Sequence, residues 1–467
     1  MDPLQKTHPT GNYPGTPPVN RVGYRGEFPE LDGSGSMFLS PDYEGFTYDG
    51  EKRGDPLTLK LVSQDFDDSA IEDLDSAVNA AIERMRPGER LDPGSRVLVT
   101  AGSRGISNIA GILRRVCAHL IELGMRPSIL GAMGSHGGGT DAGQGEMLAS
   151  LGITEESVGV PIITSSKAVP VGRTKRGLTV YCDPLVLEVD GIVAVNRVKA
   201  HTTARGDIQS GIVKKLVVGL GHRPGAESFH QCGPAAMSEE LREMAGHVLD
   251  AIPFLGGVGL VENADGATHT VRGIRPEELF EAESELLQLS KSLSPRLPFS
   301  EADVLVVRTM GKNFSGTGVD TGVVGRYRVQ GEPDLPEPRI SRICALDLSE
   351  ESHGNATGIG LVDMVTRRLA SEVDLHPTYT NVLTSTLTMR AMIPMIMASD
   401  RDAVWGSVAS ASVPPSRGVR LAIIENTLDL ENLWVSEALA EDLDQGARLD
   451  GTEAQLAFDE DGNLISP

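Results

Sequence analysis

The sequence predicts an α/β fold of two α/β domains with mostly parallel sheets and an active-site cleft between them, and three observations predict it. Short apolar runs bounded by glycine-rich loops alternate with segments whose apolar residues recur at helical spacing. Glycine is plentiful at 53 residues and aromatics make up only 4%, which suits tight loops better than a β-sandwich. A chain of 467 residues is long enough for more than one core. The expected division is a Pro/Gly-rich arm at 1–49, a first domain at 50–296 and a second at 300–440. The tail at 441–467 is expected to pack back on the first domain.

The elements follow in order. The arm carries Pro3, Pro9, Pro14, Pro17 and Pro18 without periodicity, so it should be disordered or draped over a neighbour. A strand at 57–61 leads to a helix at 69–85, where Ile71, Leu74, Val78 and Ile82 share a face. A unit then recurs: strand 96–100, loop 101–107 (AGSRGIS) and helix 108–123, then strand 127–133, loop 134–140 (GSHGGGT) and helix 141–151. Short strands at 162–165 and 178–182 precede a strand at 191–198. A helix at 239–249, a strand at 256–262 and a helix at 276–293 lead to the turn-rich SPRLP at 294–298. The second domain opens with strand 304–309 and loop 310–318 (MGKNFSGTG), followed by strand 339–348 and a helix at 358–371. MRAMIPMIM at 389–397 suits helix or strand equally, and 457–465 reads as a polar hairpin. Ligands of parallel sheets gather beyond the carboxyl ends of the strands. Arg104, His136 and His201 all lie just past strand ends and should share one rim.

Charge narrows the partners. A net charge of −23, spread along the chain, argues against nucleic acid and anionic membrane, and means that a site for an anion needs local Arg or Lys. The four cysteines form no CxxC pair, which disfavours a thiol zinc site or a disulfide framework. Without a signal-like opening or a membrane-length apolar run, the expected compartment is the cytoplasm.

Several residues carry two readings. His136, between a strand and a helix start, is either a base beside an anion cradle or a loop histidine among turn glycines. Arg104 is either a carboxylate or phosphate clamp, or a solvated arginine pairing with one of 65 acidic residues. Lys214, after Ile212 and Val213, is either a nucleophile or tether, or a snorkelling stem. His201, His222 and His230 form a loose cluster without HxxxH or HExxH spacing. A protein-only metal cage is therefore disfavoured, while a single histidine completing a cofactor-borne metal fits. The turn at 315–318, with Lys312 and Asp320, suits an anion but lacks P-loop spacing, and neither GxGxxG nor GxSxG offers a nucleotide fold or a serine elbow.

In order and spacing, several of these pieces resemble one family. They are GSRGIS, GAMGSHGGGTDAGQGEMLASLG, VNRVKAHTTARGDIQSGIVKKLVVGLG, the later His230, and MGKNFSGTGVD. HGNATGIGLVD and PTYTNVLTS extend the match to roughly residues 97–395. Together they resemble the nickel-pincer nucleotide-dependent lactate racemase family and its broader set of 2-hydroxy-acid racemases and epimerases. The resemblance implies a pyridinium mononucleotide tethered to Lys214, with Gly206, Ser210 and Gly211 beside it and His230 as nickel ligand. It implies His136 and His201 as paired acid/base residues, and Arg104 and Lys312 as holders of the substrate carboxylate. It further implies cofactor-synthesis enzymes as partners and a small hydroxy acid as substrate, and leaves the oligomeric state open.

Inverting a hydroxyl-bearing carbon by oxidation and reduction needs a hydride acceptor and bases that titrate near neutrality, and two histidines suit the second need. The sequence departs from the lactate enzymes at Ala101, Gly102 and Gly137 and in a longer loop between His201 and Lys214. Those departures favour a bulkier substrate, such as a sugar acid, over lactate. Two rival readings are a lyase or hydrolase using the histidines without the pincer, and a non-catalytic phosphate- or anion-binding module.

Overall fold

Two sheets organise the chain in the computed structural model, which describes Leu39 and residues 43–48, 57–414 and 416–467. The first has six strands in the order Ile162–Ile163, Arg126–Gly131, Arg96–Ala101, Gly191–Arg197, Phe254–Glu262 and Thr268–Ile274. Every neighbouring pair is parallel except the last, an antiparallel hairpin. The central strands are apolar on both faces because helices cover both. Val97, Val99 and Val193 meet the helices Leu74–Met85 and Ile109–Glu122, while the alternate residues Leu98, Ile192 and Ala194 meet Met237–Ala251 and Leu279–Leu293. The helix expected from residue 69 starts at Leu74. Asp73 accepts the Ser76 N–H at 3.0 Å there, a cap worth about 1 kcal/mol.

The second sheet has eight strands in the order Met395–Met397, Met364–Thr366, Arg339–Leu348, Glu301–Met310, Leu421–Ile424, Asn432–Ser436, Thr58–Ser63 and Arg448–Gln455. The first five run parallel and the rest antiparallel. The molecule is thus α/β with mostly parallel sheets. The strand Thr58–Ser63 pairs with Asn432–Ser436 on one side and with the tail strand Arg448–Gln455 on the other. The tail therefore returns to an N-terminal segment, and that segment sits in the second sheet.

Two expected elements differ. The helix expected at 358–371 is broken into a turn, the parallel strand Met364–Thr366 and the short helix Arg367–Ser371. Thr366 ends the strand and caps the helix by accepting the Leu369 N–H at 3.0 Å. Met389–Met397 is likewise neither one helix nor one strand. A 3₁₀ turn at Thr388–Ala391 precedes Pro394 and the strand Met395–Met397. The polar hairpin forms, as Ala457–Phe458 against Leu464–Ser466.

The arm expected at 1–49 lies outside the described residues apart from Leu39 and 43–48, where Phe46 bridges to Met397 at the sheet edge. Among the described residues no helix is long and apolar enough to cross a membrane.

Candidate active site

Three adjacent parallel strands set the site. Arg126–Gly131, Arg96–Ala101 and Gly191–Arg197 lie side by side, so the loops leaving their carboxyl ends open on one edge. Those loops carry His136, Arg104 and His201. The strand Glu301–Met310 of the second sheet carries Lys312 just past its own carboxyl end.

The His136 loop is set by its glycines. Gly137, Gly138 and Gly139 have φ of +65°, +66° and +67°, a left-handed run that would cost L side chains about 1–2 kcal/mol each. The run brings the Gly137 carbonyl so close to the helix Asp141–Ser150 that a Cβ on Gly143 would lie 1.9 Å from it. Thr140 caps that helix by accepting the Gly143 N–H at 3.1 Å. His136 is left at the turn's start, with its Nδ1 2.6 Å from the Ser103 hydroxyl. Ser103, next to Arg104, thereby links the first two loops.

The His201 loop is closed at its base and gripped from the other sheet. Lys199 and Ser210 form a bridge, with the Lys199 N–H on the Ser210 carbonyl at 2.9 Å. Inside the loop, Gln209 accepts the His201 N–H at 2.9 Å and donates to the Gly206 carbonyl at 2.9 Å. His201 Nδ1 accepts two backbone N–H groups, from Thr203 at 3.1 Å and Ala204 at 3.0 Å. Arg390, 1% exposed, reaches over from the 3₁₀ turn Thr388–Ala391. It donates to the Thr202 carbonyl at 2.6 Å, the Thr203 hydroxyl at 3.0 Å and the Tyr327 carbonyl at 3.0 Å. Arg205 stacks on the Tyr327 ring at 4.1 Å and hydrogen-bonds the Pro333 carbonyl.

The two lysines part company. Lys214 ends the short helix Ile212–Lys214, and the chain continues as a π turn over Lys215–Gly219 before the helix His222–His230. Lys215, 7% exposed, points into the fold, where its Nζ donates to the Ala132 carbonyl at 3.3 Å beside Gly102. Among the described residues Lys214 has no hydrogen-bond or ion-pair partner, and it lies within electrostatic reach of His136, His201 and His230.

Of the glycines expected at a cofactor, Gly211 is buried against Glu283, whose carboxyl carbon would lie 2.5 Å from a Cβ there. Glu283 in turn accepts the Val213 N–H at 2.8 Å and so holds the start of the lysine helix. Gly206 makes a left-handed turn against Ser238, and Ser210 is half-buried at the loop's base. His222 is occupied elsewhere: its ring pairs with buried Asp183 at 2.7 Å and faces Gln144 at 3.4 Å.

The electrostatics tie the distant segments together. Burial first, and then Arg104 and Lys214, brings His136 down to about 4. Burial brings His201 well below its ordinary value, with Lys214 and His230 adding to the effect. Burial and Lys214 lower His230 to about 4. Burial and Arg104 lower both Lys214 and Lys312 to about 8. Lys199 is lowered by burial and then by Arg197. His136, Arg104 and Lys199 keep accessible surface, and the loss of water to the protein around them is still the first cause of their shifts.

Cations thus surround three neutral imidazoles in a chain of net charge −23. Such a place suits an anion, and its neutral histidines and partly neutral amine can exchange protons or attack an electrophile near pH 7.

No family model and no curated protein matches this chain. Among solved structures, the lactate racemase apoprotein from Thermoanaerobacterium thermosaccharolyticum is similar at 10% identity, over 70% of this chain and 92% of that one, with a TM-score of 0.43. A likeness so loose decides nothing about function. The site must speak through its own residues.

Those residues include several that the sequence does not announce: Ser103, Gln209 and Arg390, with the N–H groups of Thr203 and Ala204. Ser103 stands beside Arg104, a signal that could have been used. Arg390 is 189 positions from His201, and nothing in MRAMIPMIM marks it. Among the described residues no three His, Cys, Asp or Glu side chains converge to hold a metal. A cofactor-borne metal asks for less, and His230 meets it with a neutral ring and a buried Nδ1 that has no hydrogen-bond partner among the described residues.

Proposed function

We propose that the protein is a racemase or epimerase of a 2-hydroxy acid, acting in a cleft between two α/β domains on a bulkier substrate than lactate, such as a sugar acid. One observation carries this reading. Arg104, His136, His201, Lys214, His230 and Lys312, drawn from both sheets, act on one another electrostatically as a single cationic and imidazole cluster. Arg104 and Lys312 orient the substrate carboxylate, Arg104 through a two-pronged contact and Lys312 as a point charge. Lys312 is held for this by the Gly316 carbonyl at 2.7 Å. The two histidines attend the substrate hydroxyl.

Lys214 would tether a nickel-pincer pyridinium mononucleotide, and His230 would offer the metal a ligand from the protein. The partly neutral amine of Lys214 and the ring nitrogen of His230, both without a hydrogen-bond partner among the described residues, fit that group. When bound, the group supplies a reversible acceptor for the hydrogen and electron pair of the carbinol carbon. Everything else falls to the chain: holding the acid, excluding water and moving the hydroxyl proton. Cofactor-synthesis enzymes are the required partners, and the cytoplasm is the expected setting.

The test is chiral chromatography of a panel of 2-hydroxy acids and sugar acids, incubated with protein co-produced with the cofactor-synthesis enzymes. Interconversion of at least one stereoisomer pair is expected, and Lys214→Ala should abolish it. Full activity in Lys214→Ala would end this reading, and turnover in protein made without those enzymes would favour a pincer-independent lyase or hydrolase.

A further inference from the structure

We infer that the two histidines do not share one role: His201 is held as an Nε2–H hydrogen-bond donor to the substrate oxygen, and His136 alone takes and returns the hydroxyl proton. This rests on the proposed function and departs from the symmetrical pair of bases that the family resemblance implies.

The number of lone pairs on the ring decides the tautomer. An imidazole nitrogen without a proton has one lone pair in the ring plane, and Nδ1 of His201 turns it toward the N–H groups of Thr203 and Ala204. Neither donor can become an acceptor. A proton on Nδ1 would face both N–H groups, so the neutral ring carries its single proton on Nε2. A base needs a free lone pair, and this Nε2 has none. Giving up the Nε2 proton would leave an imidazolate, far outside reach near pH 7. What remains is hydrogen-bond donation.

The loop gives His201 no easy way out of this tautomer. The Lys199–Ser210 bridge closes its base, Gln209 holds the His201 N–H, and Arg390 and the Thr321 hydroxyl both bond the Thr202 carbonyl, at 2.6 and 3.3 Å. Turning the ring would leave the Thr203 and Ala204 N–H groups unpaired.

His136 faces acceptors instead of fixed donors, with the Met133 carbonyl within reach of its ring. Its Nδ1 faces a hydroxyl, and the Ser103 oxygen accepts as readily as it donates. With Nδ1–H donating to Ser103, Nε2 keeps a lone pair for the substrate. The proton balance then closes on one residue. The substrate O–H bond breaks as His136 Nε2–H forms, and the same proton returns to the same oxygen at the end. Between those moments the oxygen is held by His201 Nε2–H. The carbinol hydride would go to, and return from, the acceptor of the proposed function; inversion would come from the planar ketone turning about that held oxygen between those moments, its carboxylate leaving Arg104 and Lys312 to do so, and needs no second base.

The first test needs no cofactor and no turnover. Nitrogen-15 NMR of histidine-labelled protein, with His201→Gln to assign the signal, should show a neutral His201 ring protonated at Nε2 at pH 7. A proton on Nδ1, or a doubly protonated ring, would overturn the inference.

The second test uses the loaded enzyme. Gln at position 201 places an N–H where imidazole Nε2 stood, so His201→Gln should recover much of the roughly 10²–10³-fold loss in kcat expected of His201→Ala. At position 136 neither replacement is a base, and both should lose about 10²–10⁴-fold. No rescue by Gln at 201 would remove the donor role. If wild-type protein turned over no hydroxy acid, the proposed function would fail, while the NMR result would still decide the tautomer.

Discussion

His136 and His201 stay neutral near pH 7 for the same first reason, the loss of water on burial, and neighbouring cations add to it. That has a consequence for stability. In the unfolded chain each ring titrates at about 6.5, whereas His136 in the folded chain waits until about 4. Between those values the unfolded state binds protons that the folded state refuses, so stability falls as pH falls through that window. Above pH 6.5 both states are neutral and the effect vanishes. Urea midpoints measured from pH 7.5 to 4.5 should therefore decline on the acid side, and His136→Gln should flatten part of the decline. An unchanged slope would show that His136 is solvated.

At this scale the residue types were legible and their states were not. A histidine after a strand and a lysine beside an apolar run stand out in sequence. The tautomer of His201 depends on where the next three residues turn their N–H groups, and that is a property of the folded loop.

Among elements, the decisive one is the turn carrying Arg390. Its guanidinium is lowered by burial only to about 10, so it stays charged, and it spends that charge on backbone carbonyls of both halves of the molecule. Arg390→Met should destabilise the protein by about 2 kcal/mol, because the Tyr327 carbonyl is left without its donor and the Thr202 carbonyl keeps only the Thr321 hydroxyl. Arg390→Lys should recover only part, since one ammonium cannot reproduce a three-way planar contact. Urea unfolding gives both numbers, and wild-type stability in the Met variant would deny the grip.

Helices and buried strands with one clear period were readable, as at Ile109–Glu122 and Gly191–Arg197. Residues 358–371 were not, because strand and helix follow each other across Thr366 with apolar residues in both, and the two periods blur. Nor could the sequence show that Thr58–Ser63 belongs to the second sheet. Its pairing partners lie hundreds of residues later, and pairing between distant strands leaves no local trace.

For the whole molecule, the acidic chain and the cationic cluster are two halves of one arrangement. A net charge of −23 repels small acids generally, while Lys199, Lys214 and Lys312 each lie within electrostatic reach of Arg104. The strand order puts Arg104 on one sheet's rim and Lys312 at the end of a strand in the other, so the cationic cluster draws on both sheets. The cluster was partly visible in sequence as residues past strand ends. Its closure by Arg390 was not.

The claim on which all of this turns is that Lys214 carries a nucleotide. Intact-mass and peptide-mapping mass spectrometry, on protein co-produced with the cofactor-synthesis enzymes, reads it directly. The account predicts a mononucleotide-sized adduct on the peptide containing Lys214, nickel in the same sample, and neither in Lys214→Ala. Fully active protein of unmodified mass would contradict it.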